Sequence, residues 1–392
     1  MKKSVIVYGK RTALGRLGGA LKDCPATQLG ARLVENAREN LGSAAATVDE
    51  IILGHVLTAG CGQSPAKQAA LAGGLSPSVC ATTINRVCGS GMKAVIMAQE
   101  AIALGKANCV FAGGQENMSL APHLLMKSRQ GYKYGSVTML DHMAHDGLTN
   151  PYDQKAMGCF ADLCATEYKI SREEQDTYAQ ESYLRAQENS ENGHFAKEIT
   201  PLTLKTRKAE VQMAKDEEPF AAKLDKMPSL RPAFSPDGTV TAANASSIND
   251  GAALLVVMEE SYAKKMGCEI LAEVVATDAF SHEPQWFTTA PVQSMKRALA
   301  SSSLKVSDIA QFEINEAFSV VPLVAMKELG LKRELVNPYG GSVALGHPIG
   351  ASGARILVSL LNGLAQKQSG SYGLASICIG GGEANTMILR KP

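Results

Sequence analysis

The residues of this chain that could do chemistry begin with a cysteine in a glycine-rich turn. Cys88 is followed by Gly89, Ser90 and Gly91, and then by apolar residues at helical spacing. The unpaired N–H groups and the dipole at a helix N-terminus lower the pKa of a thiol. The pattern therefore predicts a nucleophilic thiol at Cys88, and the alternative is a buried cysteine at an ordinary strand-to-helix turn.

Three further segments place polar or sulfur-bearing side chains beside glycines or at the ends of predicted strands. His347 is flanked by glycines and followed by a proline, so it could act as a general base. Cys378 ends an apolar run that leads into Gly380, and the glycines there leave backbone N–H groups free to stabilise an oxyanion. Asn315 follows another apolar run. Taken singly, these three residues are better interpreted as a hydrogen-bonded turn histidine, a core cysteine and a helix cap.

Taken together, these segments predict one site. Each is expected at the carboxyl end of a strand, which is where open α/β sheets bind ligands. The four segments would supply a nucleophile, a base, a second thiol and donors for an oxyanion.

The elements that must position these residues alternate between strands and helices, which is typical of an α/β fold. Apolar runs predict strands at 5–8, 50–53, 109–112, 251–258, 270–276, 312–314 and 374–379. Apolar residues at helical spacing predict helices at 26–41, 91–104, 292–299, 320–329 and from 352 to 364. Ser171 and Glu174 form a capping box that begins another helix, which runs to about residue 187.

Two parts of the chain repeat one order of features, which predicts an internal duplication. A helix begins at 88–91 and a strand then ends at the glycines 113–114; a second helix begins at 350–353 and its strand ends at the glycines 381–382. Residues 119–250 are richer in proline and charge. We therefore expect an N-terminal half at 1–118 completed by 251–267, an inserted domain at 119–250 and a C-terminal half at 268–392.

The composition excludes several classes of protein. The 392 residues include 39 Lys plus Arg and 38 Asp plus Glu, a net charge of +1, which gives no general attraction for nucleic acid or an anionic membrane. No apolar run reaches the roughly 18 residues that a membrane span needs. The nine cysteines show no C-x-x-C spacing, which favours free thiols in a cytoplasmic protein.

In their order and near their spacings, the segments around Cys88, Asn315, His347 and Cys378 resemble the four active-site motifs of the thiolases, specifically the biosynthetic ones, over essentially the whole chain. The resemblance implies a five-layer αβαβα fold, made of two duplicated α/β halves and a loop domain that covers coenzyme A. It implies a reversible Claisen condensation of two acetyl-CoA to acetoacetyl-CoA and CoA. It also implies a dimer or tetramer that requires no cofactor.

The resemblance also implies a role for each residue of the site. Cys88 would accept the acetyl group while His347 accepts the thiol proton. Cys378 would remove a proton from the second acetyl-CoA. His347 and a water held by Asn315 would stabilise the enolate, and the N–H groups of Cys88 and Gly380 would stabilise the tetrahedral adduct.

Further positions match substrate and coenzyme A contacts of the family. Met157 would bound the acyl pocket and Ser246 would contact pantetheine, with Phe318 beside it. The remaining matches are Leu148, Ala317 and Ala243, and Lys226, Lys223 or Lys208 would hold the phosphates. A potassium ion would be bound by Tyr152 and by backbone carbonyls at Ala242, Ala243, Ala245 and Val343, as in the potassium-activated members.

Other functions fit the sequence less well. A degradative 3-ketoacyl-CoA thiolase with a broader chain-length range is the main alternative, and the segment 146–149 favours the short substrate instead. A ketoacyl synthase would lack Cys378. A non-catalytic coenzyme A-binding protein would not need all four motifs, and a dinucleotide-binding enzyme would show G-x-G-x-x-G after the first strand.

Overall fold

The computed structural model describes residues 2–205 and 209–392. The strands in these residues are β1 (Ser4–Arg11), β2 (Gly15–Arg16), β3 (Glu50–Gly54), β4 (Cys80–Ile84), β5 (Cys109–Asn117), β6 (His123–Leu124), β7 (Leu140–Asp141), β8 (Leu202–Lys205), β9 (Glu210–Met213), β10 (Asn249–Glu259), β11 (Ala272–Ser281), β12 (Ile309–Ile314), β13 (Tyr372–Ile379) and β14 (Glu383–Arg390). The helices are α1 (Ala26–Leu41), α2 (Pro65–Ala72), α3 (Ser90–Ala103), α4 (Met157–Glu167), α5 (Arg172–Glu191), α6 (Glu260–Lys265), α7 (Ala290–Ser301), α8 (Val320–Leu329), α9 (Ser342–Leu345) and α10 (Ser352–Leu364). None of the helices described is both long and apolar enough to cross a membrane.

Two sets of strands in the large sheet repeat one topology. The first has the order β1-β10-β5-β3-β4, and the second has the order β11-β14-β13-β12. The first two pairings in each set are antiparallel, and β5·β3 and β13·β12 are parallel. A parallel bridge between Phe312 and Val336 takes the place that the β3·β4 pairing has in the first set. The duplication that the sequence predicts is therefore confirmed.

The helices form three layers around these two sets of strands. One apolar core packs α1 and α2 against the outer face of the first set. A second core packs α3 and α10 between the two sets, and a third covers the outer face of the second set with α7 and α8. This arrangement confirms the predicted αβαβα order. Strands such as β5 are buried along their whole length, which explains their continuous apolar runs.

Two glycines let the central helices meet where they begin. A Cβ atom on Gly91 would lie 2.8 Å from the backbone nitrogen of Ala354, and one on Gly353 would lie 2.5 Å from that of Met92. Both distances are too short for a real Cβ, so any larger residue would push α3 and α10 apart. The matched glycines of the repeated motifs therefore have a packing role at the centre of the molecule.

The segment between β5 and β10 includes α4, α5 and four short strands. Ser171 and Glu174 form the predicted capping box, although α5 runs to Glu191, further than expected. Arg11 of β1 joins this segment to the sheets through buried ion pairs with Glu198 and Asp216, both at 2.7 Å. Removing one partner of such a pair costs about 3–5 kcal/mol, because a charge is then left buried alone.

Candidate active site

One cavity of about 310 Å³ brings together residues from both halves and from the intervening segment. Cys88, His347 and Gly380 of the predicted catalytic set line it. Five predicted substrate or coenzyme A contacts also line it, namely Leu148, Met157, Ser246, Ala317 and Phe318, and so does Ala245 of the predicted potassium site. A larger groove of about 630 Å³ elsewhere on the chain contains none of the predicted site residues. The cavity around Cys88 is therefore the candidate active site.

Cys88 lies in a strained turn between β4 and α3. The preceding residue, Val87, has φ of +44°, a left-handed value that is costly for a β-branched side chain. The hydroxyl of Ser90 donates to the carbonyl of Val87 at 2.6 Å and accepts from the N–H of Arg86 at 2.8 Å. Such strain is typical of functional sites. Neither the conformation of Val87 nor the role of Ser90 was predicted from the sequence.

The expectation of a lowered pKa at Cys88 was wrong. Burial raises the pKa of the Cys88 thiol to about 11, although the N–H groups of Gly380 and of Cys88 itself bond to the sulfur and lower the pKa. The loss of solvation of the charged thiolate is larger than the stabilisation by these two donors. Cys88 is therefore a neutral thiol at rest and needs a base when it reacts. The two N–H groups at its sulfur are the pair predicted to bind the tetrahedral oxyanion.

His347 is buried and has one ring nitrogen free to act as that base. Its Nδ1 lies 2.6 Å from the Oγ of Ser352, whose own hydroxyl donates to the carbonyl of Pro348 at 2.9 Å. Since Ser352 has only one proton to donate, the arrangement assigns the proton of the neutral ring to Nδ1. Nε2 is buried without a hydrogen-bond partner among the residues described. Burial and the nearby Arg355 lower the pKa of His347 to about 3, so the ring is neutral at rest.

The structure corrects one detail of the predicted position of His347. The residue follows the short helix α9 rather than a strand, unlike Asn315, which follows β12 directly. The backbone N–H of His347 bonds to the carbonyl of Ser247 and to the side chain of Asn249. These bonds, with the turn at Pro348, place the ring against the cavity.

Asn315 and Cys378 are buried beside the cavity but do not line it. Each is 1 % exposed. Asn315 Oδ1 accepts from the hydroxyl of Ser342 at 2.6 Å, while its Nδ2 is buried without a partner among the residues described. Burial and the neighbouring Cys88 hold the pKa of the Cys378 thiol well above its usual range, and the N–H of Ala317 opposes this rise. The unpaired amide of Asn315 fits the predicted water-holding role.

The predicted pantetheine contact lies in one wall of the cavity. Ser246 Oγ and the N–H of Ser246 both donate to the carbonyl of Ala317, at 2.9 and 3.0 Å. Phe318, next to Ala317, packs edge-to-face against Phe234 and Phe287. These two aromatic residues line the cavity and were not predicted. They come from loops far from Phe318 in sequence, so no local pattern indicated them.

Met157 lines the cavity close to Gly380. It begins α4, and its terminal methyl group lies 3.6 Å from where a Cβ on Gly380 would stand. A side chain at position 380 would therefore be in van der Waals contact with Met157. This position is consistent with the predicted boundary of an acyl pocket.

Most of the other predicted positions that the structure describes lie outside the lining of the cavity. Lys226 and Lys223 are exposed, Ala243 is half-buried, and Lys208 lies outside the described residues. Among the five positions predicted for potassium, Tyr152 is 77 % exposed and Val343 is fully buried. Ala245 is the one of these five that lines the cavity.

Family models of known proteins match nearly the whole chain. The thiolase N-terminal domain matches residues 4–261, and the thiolase C-terminal domain matches residues 268–391. The join between them falls between β10 and β11, the last strand of the first set and the first strand of the second.

Individual relatives are similar over their full length. The chain is 44 % identical to a probable acetyl-CoA acetyltransferase of Dictyostelium discoideum, covering 100 % of this chain and 94 % of that one. It is 46 % identical to a probable acetyl-CoA acyltransferase of Staphylococcus aureus strain COL, covering 100 % of both.

Two solved structures share the fold. The Acat5 thiolase of Ascaris suum, solved in complex with coenzyme A, superposes with a TM-score of 0.95 at 39 % identity, covering 100 % of both chains. The acetyl-CoA acetyltransferase of Bacillus anthracis superposes with a TM-score of 0.97 at 38 % identity, covering 100 % of this chain and 99 % of that one.

Proposed function

The chain belongs to the thiolase family of acyltransferases, and from that premise we propose that it is an acetyl-CoA C-acetyltransferase. It joins two acetyl-CoA molecules reversibly into acetoacetyl-CoA and CoA through an acetyl group on Cys88. The observation that supports this proposal best is the meeting of the Cys88 thiol, the unpaired Nε2 of His347 and the N–H of Gly380 at one cavity.

Acetyl transfer uses the nucleophile, the base and the two backbone donors. The Cys88 sulfur attacks the thioester carbon of acetyl-CoA as its proton passes to Nε2 of His347. The N–H groups of Cys88 and Gly380 stabilise the tetrahedral oxyanion. The bond to the CoA sulfur then breaks, and the leaving thiolate takes the proton of Cys378. This step ends with acetyl-Cys88, protonated His347 and the thiolate of Cys378.

Condensation uses the three groups that acetyl transfer produces: acetyl-Cys88, protonated His347 and the thiolate of Cys378. The thiolate of Cys378 removes a proton from the methyl group of a second acetyl-CoA, a weak carbon acid that requires a strong base. Its raised pKa suits that role. Protonated His347 and the water held by Asn315 stabilise the enolate oxygen, and the enolate carbon attacks acetyl-Cys88. Cys88 leaves as a thiolate and recovers its proton from His347, which restores the starting state.

We propose that the enzyme prefers a short acyl chain to the broader range of a degradative thiolase. Support comes from the bulky side chains that line the cavity: Met157 lies close to Gly380, and Phe287 and Phe318 pack against each other. We expect thiolysis of acetoacetyl-CoA to exceed that of 3-ketohexanoyl-CoA by at least about 10-fold in kcat/KM, since each methylene without space costs about 1–3 kcal/mol. 3-Ketodecanoyl-CoA should be slower still.

The measurement is the initial rate with each of the three substrates, followed by the loss of the thioester enolate absorbance. Met157→Ala serves as the companion variant and should raise the relative rate with 3-ketohexanoyl-CoA. A flat or rising dependence on chain length in the unaltered enzyme would favour the degradative alternative instead.

We also propose that potassium activates the enzyme through Tyr152 and the carbonyls of Ala242, Ala243, Ala245 and Val343. Neutral carbonyl and hydroxyl oxygens suit a hard cation. Ala245 also lines the cavity beside Ser246, so order in this loop would affect pantetheine binding. We expect initial rates to be higher in potassium than in sodium at equal ionic strength. Equal rates in the two salts would exclude the proposal.

The enzyme is further proposed to be a cytoplasmic dimer or tetramer. All nine cysteines are free thiols, which is typical of a reducing compartment. Light scattering would give two or four copies of the 41.4 kDa chain. A monomer would contradict this assembly.

A further inference from the structure

We propose that Ser342 and Arg355 are positioning residues that fix the orientation of the Asn315 amide for the condensation step. This inference rests on the proposed function, because it concerns the enolate that Asn315 would stabilise. The three side chains form a chain of hydrogen bonds buried beside the cavity. Ser342 is fully buried, and Arg355 and Asn315 are each 1 % exposed.

The direction of each hydrogen bond follows from the donors available. Arginine has no acceptor, so the Nη2 of Arg355 must donate to the Oγ of Ser342, at 2.7 Å. The single proton of that hydroxyl is therefore free to donate onward to Asn315, at 2.6 Å. The atom that receives it must be the carbonyl oxygen of the amide. The chain of bonds thus assigns Oδ1 to the Ser342 side and leaves Nδ2 for the active site.

The opposite amide orientation would leave buried polar groups unpaired. If Nδ2 faced Ser342, the Oγ of Ser342 would meet donors from both Asn315 and Arg355, and its own proton would have no acceptor. An unmade hydrogen bond at a buried polar group is costly. Arg355 therefore holds the amide of Asn315 in one orientation without contacting it.

The same helix end orients both side chains that face the enolate. Arg355 lies three residues after Ser352 on α10, so the two project from one face of the helix. Ser352 holds Nδ1 of His347 at 2.6 Å, and Arg355 acts on Asn315 through Ser342. Ser342 is itself fixed, because the N–H of the next residue, Val343, donates to Glu316 at 3.1 Å.

The assignment predicts an effect on one half of the reaction. Acetyl transfer to Cys88 depends on the N–H groups of Cys88 and Gly380, which Ser342 does not hold. Enolate formation depends on Nδ2 of Asn315, which Ser342 orients. A change at Ser342 should therefore slow condensation and spare acetylation, whereas general damage to the site would slow both.

The experiment compares Ser342→Ala with the unaltered enzyme in two assays. Mass spectrometry after rapid mixing with acetyl-CoA gives the rate of Cys88 acetylation, and acetoacetyl-CoA formation gives kcat and KM for condensation. We expect kcat to fall by about 10- to 100-fold, which does not exceed the decrease that removal of an oxyanion donor itself causes. The acetylation rate and KM should stay within about 3-fold of their original values.

Ser359→Ala is the matched control. Ser359, on α10, is buried like Ser342, but its hydroxyl has no hydrogen-bond partner among the residues described. Its removal should alter neither assay. Ser342→Ala in an Asn315→Ala background should cause no further loss, because the residues act as one unit. Additive losses would overturn the inference.

Arg355→Lys tests the other end of this chain of hydrogen bonds, and it provides a second test of the inference if Ser342→Ala does not fold. It should produce the same selective loss of condensation. Equal losses in both assays, or an unchanged kcat for condensation, would overturn the inference while leaving the proposed function intact. An unaltered enzyme that forms no acetyl-Cys88 would overturn the proposed function, and with it this inference.

Discussion

Replacing Cys88 with alanine is expected to reduce turnover by at least about 10⁴-fold in both directions of the reaction. The side chain is the only thiol of the described residues that lines the cavity, and two backbone N–H groups are placed at its sulfur. Without it, no covalent acetyl group can form between the two half-reactions. Neither His347 nor Cys378 can replace it, since each serves as a base in the proposed mechanism and the N–H of Gly380 is placed at the sulfur of Cys88.

The test measures thiolysis of acetoacetyl-CoA and the mass of the protein after exposure to acetyl-CoA. The unaltered enzyme should gain one acetyl group, and Cys88→Ala should gain none. Cys80→Ala is the control, because Cys80 is an exposed thiol on β4, outside the cavity. Turnover by Cys88→Ala above about 1 % of the original rate would show that another group is the nucleophile.

The same thiol determines how the resting enzyme responds to pH. With a pKa raised to about 11, the thiolate fraction of Cys88 rises about tenfold for each pH unit in the neutral range. Alkylation of Cys88 by iodoacetamide should therefore accelerate from pH 6.5 to 9.5 without reaching a plateau. A plateau below pH 8 would indicate a thiolate–imidazolium pair, which the low pKa of His347 opposes.

The fold was predicted well from the sequence where glycines allow close packing of helices. The matching segments 88–91 and 350–353 indicated the duplication, and the structure places Gly91 and Gly353 at matching positions where α3 and α10 touch. Two strands of the repeated sets, β4 and β14, were not predicted, and neither were the short strands outside those sets. β4 has few strongly apolar residues because it lies at the edge of the sheet, and β14 follows directly on the turn at 381–382.

The positions of reactive side chains were easier to predict than their environments. Cys88, His347 and Gly380 stand in distinctive local sequences, and all three line the cavity. The pKa of Cys88 depends instead on burial by residues from both halves, which no single motif describes. For the same reason the roles of Ser342 and Arg355 could not be predicted. Ser342 bonds to Asn315 from 27 residues away in the sequence, and Arg355 acts through Ser342 from 40 residues away.

Replacing Cys378 with alanine should separate the two half-reactions, and this is the second large effect that we expect. Condensation should fall by about 10²- to 10⁴-fold, the range for loss of a general base. Acetylation of Cys88 should fall by no more than about 10-fold, because Cys378 only protonates the leaving thiolate and solvent can replace it. The acetylated variant should therefore accumulate when acetyl-CoA is added.

The decisive measurement is the amount of acetyl-Cys88 during steady-state condensation, determined by quenching and mass spectrometry. Cys164→Ala is the matched control, because Cys164 is another buried thiol of the third apolar core, to which Cys378 also belongs, and the proposed mechanism does not use it. If Cys378→Ala lost acetylation and condensation equally, Cys378 would be needed for the shape of the site rather than as its base. If condensation were retained, His347 would have to remove the methyl proton. We do not expect this, because its lowered pKa makes it too weak a base to deprotonate a methyl group unaided.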